Sequence, residues 1–145
     1  MAVTVKPITL WRREIDDRPG ALATSIEPLA RVDLQVVMAY RYTGNPNKGA
    51  VEVYPIGTKS AIVAAQSAGF ADSGIPALLV TGDNRPGLGH ATAKAIADAG
   101  INMAFVVAQV MGRKYSAVFG FDSAADRQKA VTLVKKAHVS GRRRA

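Results

Sequence analysis

The sequence predicts an α+β protein made of two β-α-β-β-α-β units in tandem, residues 1–74 and 75–145, the second ending in a short basic tail. Three observations carry this prediction. Asp17-Arg18-Pro19-Gly20-Ala21-Leu22 lies between an apolar stretch and a helical pattern. It returns as Asn84-Arg85-Pro86-Gly87-Leu88-Gly89 in the same setting, and Leu34 falls on Ile101 at the same offset. A repeat this long sets the architecture before any local argument. The length of 145 residues is that of one ordinary domain, so two half-size units must share a core or lean on each other. With 48% hydrophobic and 21% charged residues the composition is globular, not disordered.

In the first half, Ile8, Leu10 and Arg12 alternate with Thr9 and Trp11 as a strand does. The loop 16–20 follows, and then Leu22, Ile26, Leu29 and Ala30 recur at helical spacing, with Pro28 removing one backbone donor and kinking or shortening the helix. Residues 34–42, β-branched and aromatic, form a second strand. The cluster 44–49 is a turn by composition, and residues 50–54 return as the other arm of a hairpin. Residues 58–67 read as a helix and 70–73 as a short closing strand.

The second half repeats this order with fewer flaws. Residues 77–81 form an apolar strand, and the loop 82–87 opens a helix with Leu88, Thr92, Ala95, Ile96 and Ala99 on one face and Gly100 as its C-terminal cap. Residues 101–111 and 115–121 pair about Gly112-Arg113-Lys114. Ser123 caps a last helix that buries Ala130, Val131, Val134 and Ala137. Residues 138–140 are the candidate for a final strand.

This order is the ferredoxin-like arrangement, an antiparallel four-stranded sheet with two helices on one face. A sheet covered on one side alternates apolar and polar residues. The strand 101–111 does not: Met103, Phe105, Val107 and Met111 point one way, and Ala104, Val106, Ala108 and Val110 the other. Both faces are therefore expected to be buried, against another sheet of this chain or of a second copy, and a homodimer is the expected assembly. Tyr115, Phe119 and Phe121 share a face as core or interface residues.

Composition excludes several functions. There is no cysteine, hence no disulfide, thiolate nucleophile or cysteine-held metal. The first 14 residues have no apolar core ahead of a small-residue cleavage site, and no apolar run reaches the roughly 20 residues of a membrane helix, so a cytoplasmic protein with no membrane partner is expected. The net charge of +8 is concentrated in Lys135, Lys136, Arg142, Arg143 and Arg144, a tail that either stays solvated or binds phosphates without specificity. Gly82 and Gly87 have the spacing of a phosphate-binding loop, but Leu88 and Gly89 stand where Lys and Ser or Thr are needed. RNA-recognition modules share the fold, yet the stretch 113–121 has Lys114, Ala117 and Gly120 where their motif needs a glycine and two aromatics. His90 and His138 have lysines for neighbours, Asp16 and Asp17 merely adjoin, and no acidic or histidine cluster suits a metal. Neither an enzyme nor a cofactor is expected.

Chemistry is concentrated in the repeated loop. Pro19 and Pro86 suit a first helical position, Gly20 and Gly87 let the main chain approach a ligand, and the helix end adds partial positive charge for a carboxylate or phosphate. Structural capping explains the same residues. Asn102, placed at the start of the second strand beside this loop, has an amide that can accept from an ammonium while donating to a carboxylate, or that satisfies the turn after Gly100-Ile101.

Asp83-Asn84-Arg85-Pro86-Gly87, the helix, and Gly100-Ile101-Asn102-Met103 together resemble the ACT domains, ferredoxin-like modules that bind amino acids and regulate metabolic enzymes, and look much like the serine-binding regulatory domain of phosphoglycerate dehydrogenase. The resemblance puts the family's loop asparagine on Asn84, its glycine on Gly87 and its strand asparagine on Asn102, with Gly82 in place of a histidine. In the first half Asp17 stands for the loop asparagine and Gln35 for the strand asparagine. It implies a ligand site of Asp83, Asn84, Arg85, Pro86, Gly87, Leu88 and Asn102, with Asp17, Gly20 and Gln35 contributed by the first half, at a place where two modules meet. The implied function is an amino-acid sensor acting on a metabolic enzyme or regulator. An interaction subunit without a ligand is the alternative, and RNA binding a more distant one.

Overall fold

A computed structural model describes the backbone of residues 3–144 and the side chains of residues 3–139. The elements run β1 (Thr4–Ile8), β2 (Trp11–Asp16), α1 (Ala21–Ile26), a 3-10 turn (Glu27–Leu29), β3 (Val36–Tyr42), β4 (Asn45–Tyr54), α2 (Lys59–Ser67), β5 (Ala71–Asp72), β6 (Ala77–Asp83), α3 (Leu88–Asp98), β7 (Met103–Met111), β8 (Lys114–Phe121) and α4 (Ala124–Arg144). Pro28 ends α1 as its missing donor requires, and the chain tightens into the 3-10 turn. Among the described residues no helix is long and apolar enough to cross a membrane.

The two expected units are present, but the chain divides differently. One unit is Thr9–Gly74; the other combines β1 with the residues from Ile75 onward. Their sheets are antiparallel, in the orders β3-β4-β2-β5 and β1-β6-β8-β7. The single strand expected through Ile8, Leu10 and Arg12 is thus two strands in different sheets. β1 pairs with β6 from Thr4↔Thr81 to Ile8↔Ala77, and so fills the edge position that a strand at 138–140 was expected to take. Those residues belong to α4 instead. Buried Ala130, Val134, Ala137 and His138 continue the helical spacing through that point, and the sheet is already complete.

Each unit has its own core. In Thr9–Gly74 it is built from Leu29, Val51, Val53, Ile56, Ala61, Ala65 and Phe70, with Trp11 and Ile15 packed against it. In the other, Leu78, Val80, Leu88, Ile96, Tyr115, Phe119, Phe121 and Val134 meet, so the three aromatics of β8 are core residues. Thr58 caps α2 by accepting from the Ala61 N–H at 3.1 Å, and Ser123 accepts from the Asp126 N–H at the start of α4. β7 departs from expectation. It is an edge strand, and Val106, Val107, Val110 and Met111 are 46–71% exposed.

Candidate functional site

The repeated loop folds closely alike in its two copies. After β2 the Asp17 N–H donates to Asn47 O at 2.9 Å, and after β6 the Asn84 N–H donates to Arg113 O at 2.8 Å. Ala21 N bonds Arg18 O and Leu88 N bonds Arg85 O, both at 3.3 Å. Gly20 (φ 87) and Gly87 (φ 82) hold the left-handed residue from which each helix starts, a conformation that a side chain strains. Neither helix start has a side-chain cap. One turn on, the Ser25 and Thr92 hydroxyls donate back to Ala21 O and Leu88 O at 2.7 and 2.8 Å. A local sequence that reaches one geometry in two separate cores specifies that geometry itself.

Each loop is also flanked by a cross-strand ion pair, Lys48 Nζ on Asp16 at 2.6 Å and Lys114 Nζ on Asp83 at 2.7 Å. The Lys48 hydrogen bond and charge hold the Asp16 carboxyl below the usual carboxylate range. Asp17 is engaged by Arg41 at 3.1 Å, whereas Arg85 reaches across to donate to Ala137 O of α4 at 2.9 Å. Beside that carbonyl, His138 is buried with Nδ1 on Val134 O at 2.8 Å and Nε2 without a partner among the described residues, and burial lowers its pKa. The aspartate–lysine pairs went unrecognised in the sequence, though an Asp before the loop and a Lys after the hairpin turn stand in both halves.

Asp83, Asn84, Arg85, Pro86 and Gly87 form one turn, with Asn84 and Pro86 exposed and Arg85 half-buried. Leu88 is spent on the core, its side chain 1% exposed and its N–H already bonded. Asn102 is exposed, but it does not lie beside the turn as expected. Lys114 pairs with both Asp83 and Met111, while Phe121 pairs with Met103, so Asn102 sits at the opposite end of the sheet. The length of β8 separates them, about 23 Å at 3.3 Å per residue. Gln35 stands likewise at the Tyr54 end of its sheet, bonded through its N–H to Tyr54 O, away from Asp17 and Gly20. The physical reason is that β7 runs parallel to β6, so its start is remote from the loop that ends β6.

Two cavities of about 220 and 230 Å³ flank the first loop. The smaller is bounded by Asp17, Arg18, Leu22, Tyr40, Arg41 and Gly49; it is below the roughly 300–1,000 Å³ of drug-sized sites, a size for one small metabolite. Behind it lies a polar network that sequence reasoning missed. Glu52, fully buried, accepts from the Tyr40 hydroxyl at 2.8 Å, and its other oxygen has no partner among the described residues. Arg12, directly opposite Glu52 in the β2–β4 register, donates instead to the Tyr42 hydroxyl at 2.6 Å and lies over that ring. Burial, then Glu52, push the Tyr40 hydroxyl up to about 12.

No family model matches the chain, and no curated protein matches it. Solved structures do. A protein of Bacteroides thetaiotaomicron superposes with a TM-score of 0.70 at 15% identity, over 91% of this chain and 89% of its own. The ligand-free regulatory subunit of aspartate kinase from Thermus thermophilus follows with 0.61 at 18% identity, over 94% and 97%. The aspartate kinase of Clostridium acetobutylicum matches with 0.59 at 9% identity over 93% of this chain and 34% of that enzyme. The duplicated ferredoxin-like units and their likeness to these regulatory domains give the chain the tandem ACT-domain fold.

Proposed function

We propose that this chain is a regulatory protein that binds a small amino acid at the turns of its repeat and thereby modulates a metabolic enzyme or regulator. The observation that carries the proposal is the twice-built turn, with an αL glycine and no side-chain cap, so that main-chain amides at the start of α3 are left to a carboxylate. An ammonium group finds its counterpart in Asn84 or, in the first half, in Asp17. Asn102 joins this site from a second copy. β7 is an uncharged, proline-free edge strand, and antiparallel pairing with its own counterpart brings the start of one β7 to the end of the other, and so towards the partner's turn.

Thermal-shift measurements with each of the twenty amino acids test the reading, since a ligand at 100 times its Kd stabilises by about 2.7 kcal/mol. One amino acid is expected to raise the melting temperature, and Asn84→Ala or Asn102→Ala to abolish the rise. Mixing the two variants is then expected to restore part of it, because a mixed dimer has one intact site. Unchanged affinity in both variants removes the proposal. The dimer is checked by sedimentation, where Val107→Lys, a change at an exposed position, is expected to yield a monomer with an unaltered melting curve.

A further inference from the structure

The duplication supplies an internal comparison at the outer edge of each sheet. β1 covers β6 at five positions, from Ala77 to Thr81, whereas β5 covers β2 only at Trp11 and Arg12. By the offset of the repeat, Arg13 and Glu14 correspond to Val80 and Thr81, which β1 does pair. From Arg13 to Asp16 the outer edge of β2 is therefore open. The larger cavity, about 230 Å³, lies along this edge under α1.

Its chemistry differs from that of β7, an edge strand of the other sheet. β7 is apolar, but the cavity on β2 is lined by Arg13, Arg18 and Lys48 against Glu14 and Asp16. Asp16 is engaged by Lys48 and Arg18. Among the described residues Arg13 has no ion pair, and it is half-buried beside Gly69. A guanidinium held partly out of water with its fork of donors unused favours a planar anion.

We propose that the open edge of β2 at Arg13–Asp16 accepts an extended acidic segment of a partner protein as an added strand, with a carboxylate of that segment on the Arg13 guanidinium. Main-chain pairing gives such an edge its affinity, and alternate side chains give it selectivity. A strand of about four residues extends the sheet where β5 stops, and one or two side chains fill the cavity. The cavity borders the first-half turn at Arg18 and Ala21, but pairing along Arg13–Asp16 does not require a ligand at that turn.

The probe is an eight-residue peptide alternating valine and glutamate, compared with its valine–lysine analogue, against the full-length chain. Basic residues near the end of α4 attract any acidic peptide, so two readouts are decisive: dependence on Arg13 and the place of amide protection. The glutamate peptide is expected to slow hydrogen exchange at Arg13–Asp16. Arg13→Gln is expected to weaken it about tenfold, the scale of one lost charge-assisted contact, and Arg13→Glu to favour the lysine peptide at this edge. Equal binding by wild type and Arg13→Gln, protection at β7 in place of β2, or stabilisation by acetate or phosphate with no peptide protection each overturns the proposal, the last assigning the cavity to a free anion. If Arg13→Glu fails to fold, Arg13→Gln still decides.

Discussion

Replacing Tyr40 with phenylalanine is expected to destabilise the Thr9–Gly74 unit by about 2 kcal/mol, because it takes away the one partner of a fully buried carboxylate. The cost is not that of an average hydrogen bond. Glu52 is 0% exposed and one of its oxygens is already unpartnered, so the variant leaves a charge in the interior with neither oxygen bonded, the situation in which breaking a buried pair costs most. Tyr40 is itself 41% exposed, and water entering beside the new ring keeps the loss at the lower end of the range for charged groups. Glu52→Leu, by contrast, removes the charge together with its desolvation, and is expected to stay within about 1 kcal/mol of wild type. In that background Tyr40→Phe should cost less than about 0.5 kcal/mol, since the two residues are coupled through a single bond. Trp11, the sole tryptophan, packs on the core of this unit, and its fluorescence follows the unfolding in denaturant. Equal losses in both backgrounds would show that Tyr40 acts by packing alone. The raised Tyr40 pKa adds a pH signature: its folded value exceeds the unfolded one, so the stability it contributes is whole below pH 10 and falls away as the pH rises towards 12.

The repeat made most of the architecture visible in the sequence, because a turn of Asp or Asn, Arg, Pro and Gly before a helix is a local instruction, and local instructions survive in a string of letters. The second-half hairpin, Pro28, Ser123 and the β8 aromatics belong to the same class, whereas the first hairpin turns more tightly than its composition suggests, at Thr43 and Gly44, so that residues 45–49 extend β4. What escaped was non-local. β1 reads poorly as a strand because Pro7 interrupts it; proline lacks a ladder donor and belongs on edges, and β1 is an edge. Its partner lies some seventy residues away, beyond any periodicity. Residues 138–140 read as a strand only because each unit needs a fourth, a need that β1 meets. Asn102 reads as beside the loop when the start of the second strand is taken to adjoin the end of the first, but the parallel course of β6 and β7 puts it at the other end of its own sheet. The proposed second copy is what would bring this asparagine to a turn. Tyr40, Tyr42, Arg12 and Glu52 look like ordinary polar positions of alternating strands. Only the pairing of β2, β3 and β4 shows that they meet.

Gly49→Ala tests whether that network and the smaller cavity depend on one close approach of two strands. A Cβ on Gly49 would stand 2.5 Å from the Tyr40 carbonyl oxygen and 3.3 Å from its carbon, with the Arg41 Cα at 3.4 Å. All three atoms are backbone of β3, so no rotamer change relieves the contact; β3 must move as a strand. It lies at the sheet edge and pairs only with β4, which allows the movement but loosens the ladder it is held by. Overpacking of this kind is expected to cost about 3 kcal/mol, the upper end for an added methyl group. Tyr40 and Arg41 travel with β3, drawing the hydroxyl from Glu52 and the guanidinium from Asp17, so the alanine variant should also lose any ligand held in the cavity that Gly49, Tyr40 and Arg41 bound. Gly57→Ala is the control: its Cβ meets nothing within 4 Å and its φ is not positive, and the change should stay within about 0.5 kcal/mol. The midpoint of denaturant unfolding read at Trp11 separates the two variants. If Gly49→Ala proves as mild as Gly57→Ala, β3 adjusts freely, and the contact between the strands is not what positions Tyr40 and Arg41.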